Sequence, residues 1–144
     1  MIFRALLMAT CLTASTAWAC PTPEHQIKAV IGQQYDQAEL KVDTWPVVVA
    51  GKHAIAGWTQ GERGGRALLQ KQGEQWQVML CGGAGLRQRA GLLDAGVGRA
   101  TADKLLARLA KAEQAIPAER RQRFDSFDAM AGQPHAAHHG QAAH

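Results

Sequence analysis

VVVAGKHAIAGWTQGERGGRALLQKQGEQWQVMLC, residues 47–81, decides the fold. Apolar residues recur at every second position, and glycine breaks the pattern at short intervals. Val47-Val48-Val49-Ala50 reads as a strand and Gly51-Lys52 as a two-residue turn. His53 to Gln60 is the return strand, with Ala54, Ala56 and Trp58 on one face. Gly61-Glu62-Arg63-Gly64-Gly65 turns again, Arg66 to Lys71 forms a third strand, and Gln72-Gly73-Glu74 turns once more. On the fourth strand Trp76, Val78 and Leu80 alternate with Gln77, Met79 and Cys81. Period-two alternation bounded by glycine turns predicts a four-stranded antiparallel meander.

Upstream, Thr22-Pro23 supplies an N-cap and a proline for the first turn of a helix. Ile27, Val30, Ile31 and Tyr35 follow as one apolar stripe. Residues 36–45 are polar, end at Trp45-Pro46 and read as a loop. Downstream, Gly82-Gly83-Ala84-Gly85 breaks the chain, and Leu86 to Leu93 reads as a short helix ending near Gly96. Thr101 offers a cap for a longer helix whose stripe is Ala102, Leu105, Leu106, Leu109 and Ile116. Pro117 opens another, with Arg120, Phe124 and Phe127 at helical spacing. The fold class is therefore α+β: an N-terminal helix, the meander, then helices covering one face of the sheet. Trp58 and Trp76 are expected to face those helices as core, or else to line a small pocket.

The chain starts with a single early charge, Arg4, then an apolar run from Ala5 to Leu12, then Ala17-Trp18-Ala19. Small residues at positions −3 and −1 complete the three-part layout of a secretory signal peptide cut after Ala19. The apolar run falls short of the ~20 residues that a membrane span needs. The expected organisation is a signal peptide over 1–19, one domain over 20–131 and a flexible tail over 132–144. The periplasm is the expected location, and no membrane insertion of the mature chain is expected. The formal charge of +4 becomes +3 once Arg4 is removed, too diffuse to argue nucleic-acid binding.

Of three cysteines, Cys11 leaves with the signal peptide. Cys20 and Cys81 remain as an even pair in an oxidising compartment, which makes a Cys20–Cys81 disulfide the default. Closing that loop stabilises a fold by about 4 kcal/mol in the chain-entropy model. Lipid modification of Cys20, or a metal-binding thiolate pair, are the other readings.

The tail holds four of the six histidines: His135, His138, His139 and His144. Imidazole suits copper, zinc and nickel, and copper(II) ranks highest in the divalent series. Met130, just upstream, offers a thioether for copper(I). His25 and His53 sit at a helix start and a hairpin turn, where histidine is usually exposed and inert. Enzyme signatures are lacking: there is no Gly-x-Ser-x-Gly, no His-Glu-x-x-His, and no Gly-Lys-Ser/Thr after the glycines at 82–85. No catalytic residue is assigned.

The run Val47 to Gly61, with Gly64-Gly65-Arg66-Ala67-Leu68-Leu69, Trp76 to Gly82, Ala95-Gly96-Val97 and Ile116-Pro117-Ala118-Glu119-Arg120, resembles the bacterial copper uptake system-associated proteins. The likeness covers roughly Ile27 to Phe127 and is most specific at Trp58–Leu69. It implies a link with copper import and assigns no catalytic or ligand residue. A periplasmic copper accessory is therefore expected, with copper as ligand and an inner- or outer-membrane copper transport protein as partner. A non-metal adaptor for a membrane transporter or receptor is the competing reading, and a small-ligand pocket beside Trp58 and Trp76 a third.

Overall fold

The computed structural model describes residues 19–127. The first helix, α1 (Pro23–Tyr35), begins where Thr22 Oγ1 accepts the His25 N–H at 3.3 Å, with proline in the first turn. Its buried residues are Ile27 and Ile31, one helical turn apart. The meander follows as β1 (Asp43–Ala50), β2 (His53–Gln60), β3 (Arg63–Gln72) and β4 (Gln75–Gly82). All neighbours are antiparallel, and the strands lie in chain order. The closing pairs Ala50–His53, Gln60–Arg63 and Gln72–Gln75 make each connection a two-residue turn. Each turn opens on a glycine at φ +59° (Gly51, Gly61, Gly73), a backbone region that residues with a Cβ avoid.

A short 3-10 turn (Ala84–Arg87) leads into α2 (Arg89–Asp94), α3 (Arg99–Glu113) and α4 (Ala118–Asp125). The sheet is the middle of three layers. Val48, Ala50, Ile55 and Leu68 pack against Leu86, Leu92, Val97, Ala102, Leu105 and Leu109 on one side. Ala54, Ala56, Ala67, Leu69 and Trp76 pack against Ile27 and Ile31 of α1 on the other. The meander and the α+β class are thus as the sequence reads, but both faces of the sheet are covered.

Several local expectations change. The first strand starts at Asp43 and runs through Trp45-Pro46, with a register shift between Thr44 and Val47. Gly64 and Gly65 belong to β3, not to a turn. A Cβ on Gly64 would meet the Arg123 Cβ at 2.9 Å, so the glycine lets α4 lie close on the strand. Gly57 does the same under Phe124, which is fully buried. The long helix begins at Arg99 with Gly98 as its cap, so Thr101 lies inside it. The alternation in β4 fails at Met79. Leu68 pairs with Leu80 but Leu69 with Val78, so Met79 is the extra residue of a bulge. Cys81 consequently shares the α1 face with Trp76 and Val78. Trp58 and Trp76 stand on β2 and β4, separated by β3, and both face α1 rather than the C-terminal helices.

Candidate functional site

Tyr35 ends α1 on the same stripe as Ile27 and Ile31, which aims its ring at the sheet beside Cys81. Ile31, Tyr35 and Cys81, with Val42, Trp58, Gln60, Arg63 and Phe127, line a cavity of about 360 Å³ between α1 and the β2–β3 end of the sheet. Trp58 and Phe127 form its aromatic wall, ring centroids 5.8 Å apart and edge-to-face at 79°. Gln60 Nε2 donates to the carbonyls of Tyr35 (2.9 Å) and Leu40 (3.1 Å), tying the end of α1 to the strand. Its Oε1 accepts from Arg63 Nη2 at 3.1 Å.

Burial pushes the Cys81 thiol above its ordinary value of 9.0, against the smaller opposing pull of the neighbouring Tyr35 hydroxyl and Trp58 indole N–H. Burial likewise raises the Tyr35 phenol above 10.0, with the neighbouring Cys81 adding to the effect. At neutral pH Cys81 is therefore a thiol, and the thiolate is the form that binds metal or attacks.

Cys20 and Cys81 are both free, Cys20 exposed and Cys81 half-buried, so the expected disulfide is not formed in the structure. The reason is the path of α1. Tyr35, at its C-terminal end, touches Cys81, whereas Cys20 precedes its N-terminal end, about 20 Å away along the helix axis. A disulfide requires Cα atoms within about 7 Å.

Behind the opposite face lies a charged cluster. Arg66 is fully buried on β3. Its Nε donates to Glu113 Oε1 at 2.7 Å and its Nη1 to Asp125 Oδ1 at 2.7 Å and to the Gly83 carbonyl at 3.1 Å. The guanidinium also lies 5.3 Å from the Phe124 ring centroid. Arg87 adds a second cation, 3.0 Å from Asp125 and 3.8 Å from Glu113. Two cations face two carboxylates drawn from β3, the 3-10 turn, α3 and α4. The cluster clamps the C-terminal helices onto the sheet with two charges of each sign, and Arg66 Nη2 is the guanidinium nitrogen left without a hydrogen-bond partner.

His25 is exposed in the first turn of α1. His53 is half-buried at the start of β2, and burial lowers its pKa below 6.5. The two stand apart. Among the described residues no group of three or more His, Cys, Asp or Glu side chains is placed to hold a metal ion. No helix of the described residues is long and apolar enough to cross a membrane. His135, His138, His139 and His144, together with Met130, lie outside the described residues, as do residues 1–18. Trp76 is core, 4% exposed, while Trp45 is 40% exposed with the Arg120 guanidinium 5.7 Å from its ring centroid.

Sequence reading missed the Arg66 cluster. Its one signal is Glu113, which continues the buried spacing of Ala102, Leu105 and Leu109 by another turn and so needs a buried cation. No known protein family, curated protein or solved structure matches the chain.

Proposed function

We propose that this chain is an exported, non-catalytic accessory of copper uptake. In this reading His135, His138, His139 and His144 capture copper, and the α+β domain carries the tail to a membrane copper transport protein. The observation that carries it is the tail itself: four imidazoles within ten residues, with the soft thioether of Met130 just before them. Phe127 packs on Trp58 beside Cys81, so Met130 follows within about 10 Å of chain. Sequence resemblance supplies the link to uptake, and the signal-like N-terminus supplies the compartment.

The test is a titration of residues 20–144 with copper(I), copper(II) and zinc, beside residues 20–131. Copper binding should be lost on truncation, with an unchanged circular dichroism spectrum. Equal binding by both chains would overturn the tail reading and move the site to His25, His53, Met79 or Cys81. The cavity beside Trp58 favours one second reading, a binder of small aromatic ligands. Trp58 fluorescence that responds to such ligands and not to copper would select it.

A further inference from the structure

The two edges of the sheet are treated unequally. On β1, Pro46 interrupts the donors, Arg108 of α3 takes the outward Val49 carbonyl, and Arg120 of α4 takes the carbonyls of Asp43 (3.1 Å) and Trp45 (3.2 Å). That edge is closed to another strand. Among the described residues no arginine or proline closes β4 in this way. The pairs Gln72–Gln75 and Gln70–Gln77 fix which groups face β3, so the N–H and C=O of Trp76 and Val78 point outward. Among the described residues no hydrogen bond reaches them. The strand Gln75–Gly82 carries neither proline nor charge, and its Met79 and Leu80 are 40% and 38% exposed.

The helix next to this edge matches it. Gln26, Ala29, Val30 and Gln33 form an uncharged stripe on α1, and with Gln34, Glu74, Gln75 and Trp76 they border an open groove of about 540 Å³. Glu24 and Lys28 pair with each other at 2.7 Å and take no part in lining the groove. Strand edge, groove and helix stripe make one continuous surface whose charged lining residue is Glu74, at the end of the strand and paired with Lys71 at 3.7 Å.

We infer that this surface is the interface of a two-fold homodimer, in which β4 pairs antiparallel with β4 of a second copy to give an eight-stranded sheet. An axis at Gln77 sets Trp76 opposite Val78 of the second copy, and the outward groups of both residues then satisfy one another in four backbone hydrogen bonds. The bulge at Met79 limits regular pairing to this short segment, so the α1 stripes, brought side by side in the groove, supply the remaining contact. A second copy suits the surface because the patch is self-complementary: no charge meets its like across the axis. The exposed Glu74 at one end of the strand is carried toward the end from which Arg87 follows in the other copy. The inference is independent of copper.

Sedimentation equilibrium of residues 20–144, with chelator and reductant present, tests it. Twice the chain mass is expected, dissociating on dilution. Gln77 is exposed, so Gln77→Lys and Gln77→Glu should each fold and run as monomers. An equimolar mixture of the two should recover the dimer. A parent chain monomeric at millimolar concentration would overturn the inference. So would a dimer indifferent to Gln77→Lys, or one lost on deletion of residues 132–144, which would make the tail the occupant.

Discussion

Replacing Arg66 with methionine should be among the costliest single changes in this chain. Methionine keeps an apolar stem over Phe124 but removes the charge. Glu113, whose side chain is 7% exposed, would lose its 2.7 Å partner and retain only Arg87 Nε at 3.8 Å. Asp125 fares better, keeping Arg87 Nη1 at 3.0 Å. The cost is therefore that of stranding one buried carboxylate, about 3–5 kcal/mol. That is a large share of the ~5–15 kcal/mol that holds a typical domain folded. At about 4 °C per kcal/mol for a chain of this size, Tm should fall by roughly 12–20 °C. Urea unfolding gives the free energy directly, with a lower midpoint and an unchanged slope expected. The double variant Arg66→Met/Glu113→Gln is the sharper check. With both charges gone nothing is stranded, so it should be more stable than Arg66→Met by about 1 kcal/mol or more. A single variant within about 1 kcal/mol of the parent, or a double variant no better than the single, would refute the view that paired burial holds these helices.

Gly57→Ala should destabilise by about 1–3 kcal/mol, because its Cβ would stand 2.7 Å from Phe124 Cζ in a closed core; Phe124→Leu should relieve part of that loss in chemical denaturation. In thiol labelling at pH 7 the exposed Cys20 should react first and Cys81 only slowly, and equal rates would contradict the burial of Cys81. Folding raises the Cys81 and Tyr35 pKa values, so the native state holds these protons more tightly than the unfolded chain. Their stabilisation is complete below about pH 9 and is lost as pH rises through the raised values; Cys81→Ser should flatten that alkaline decline in a pH series of melts.

The sequence by itself determined the meander, because strand alternation and two-residue glycine turns are local signals that need no distant partner. It also determined α1, through its Thr22 cap, its proline and its Ile27–Ile31–Tyr35 stripe. The imidazole-rich tail is legible in the same way, since its chemistry lies in composition rather than in shape. Tertiary structure alone decided the rest. Which face Cys81 occupies depends on a one-residue bulge at Met79, and in a strand of period two a single extra residue reverses everything beyond it. The fate of the cysteines depends on the length and direction of α1, which separates two thiols that counting alone would join. Arg66, Glu113 and Asp125 are far apart in sequence, and only the packing of α3 and α4 on β3 shows that their charges cancel. The contrast between a sealed β1 and an open β4 has the same origin. The sequence lists the strands, but the arginines that close one edge reach it from helices far along the chain.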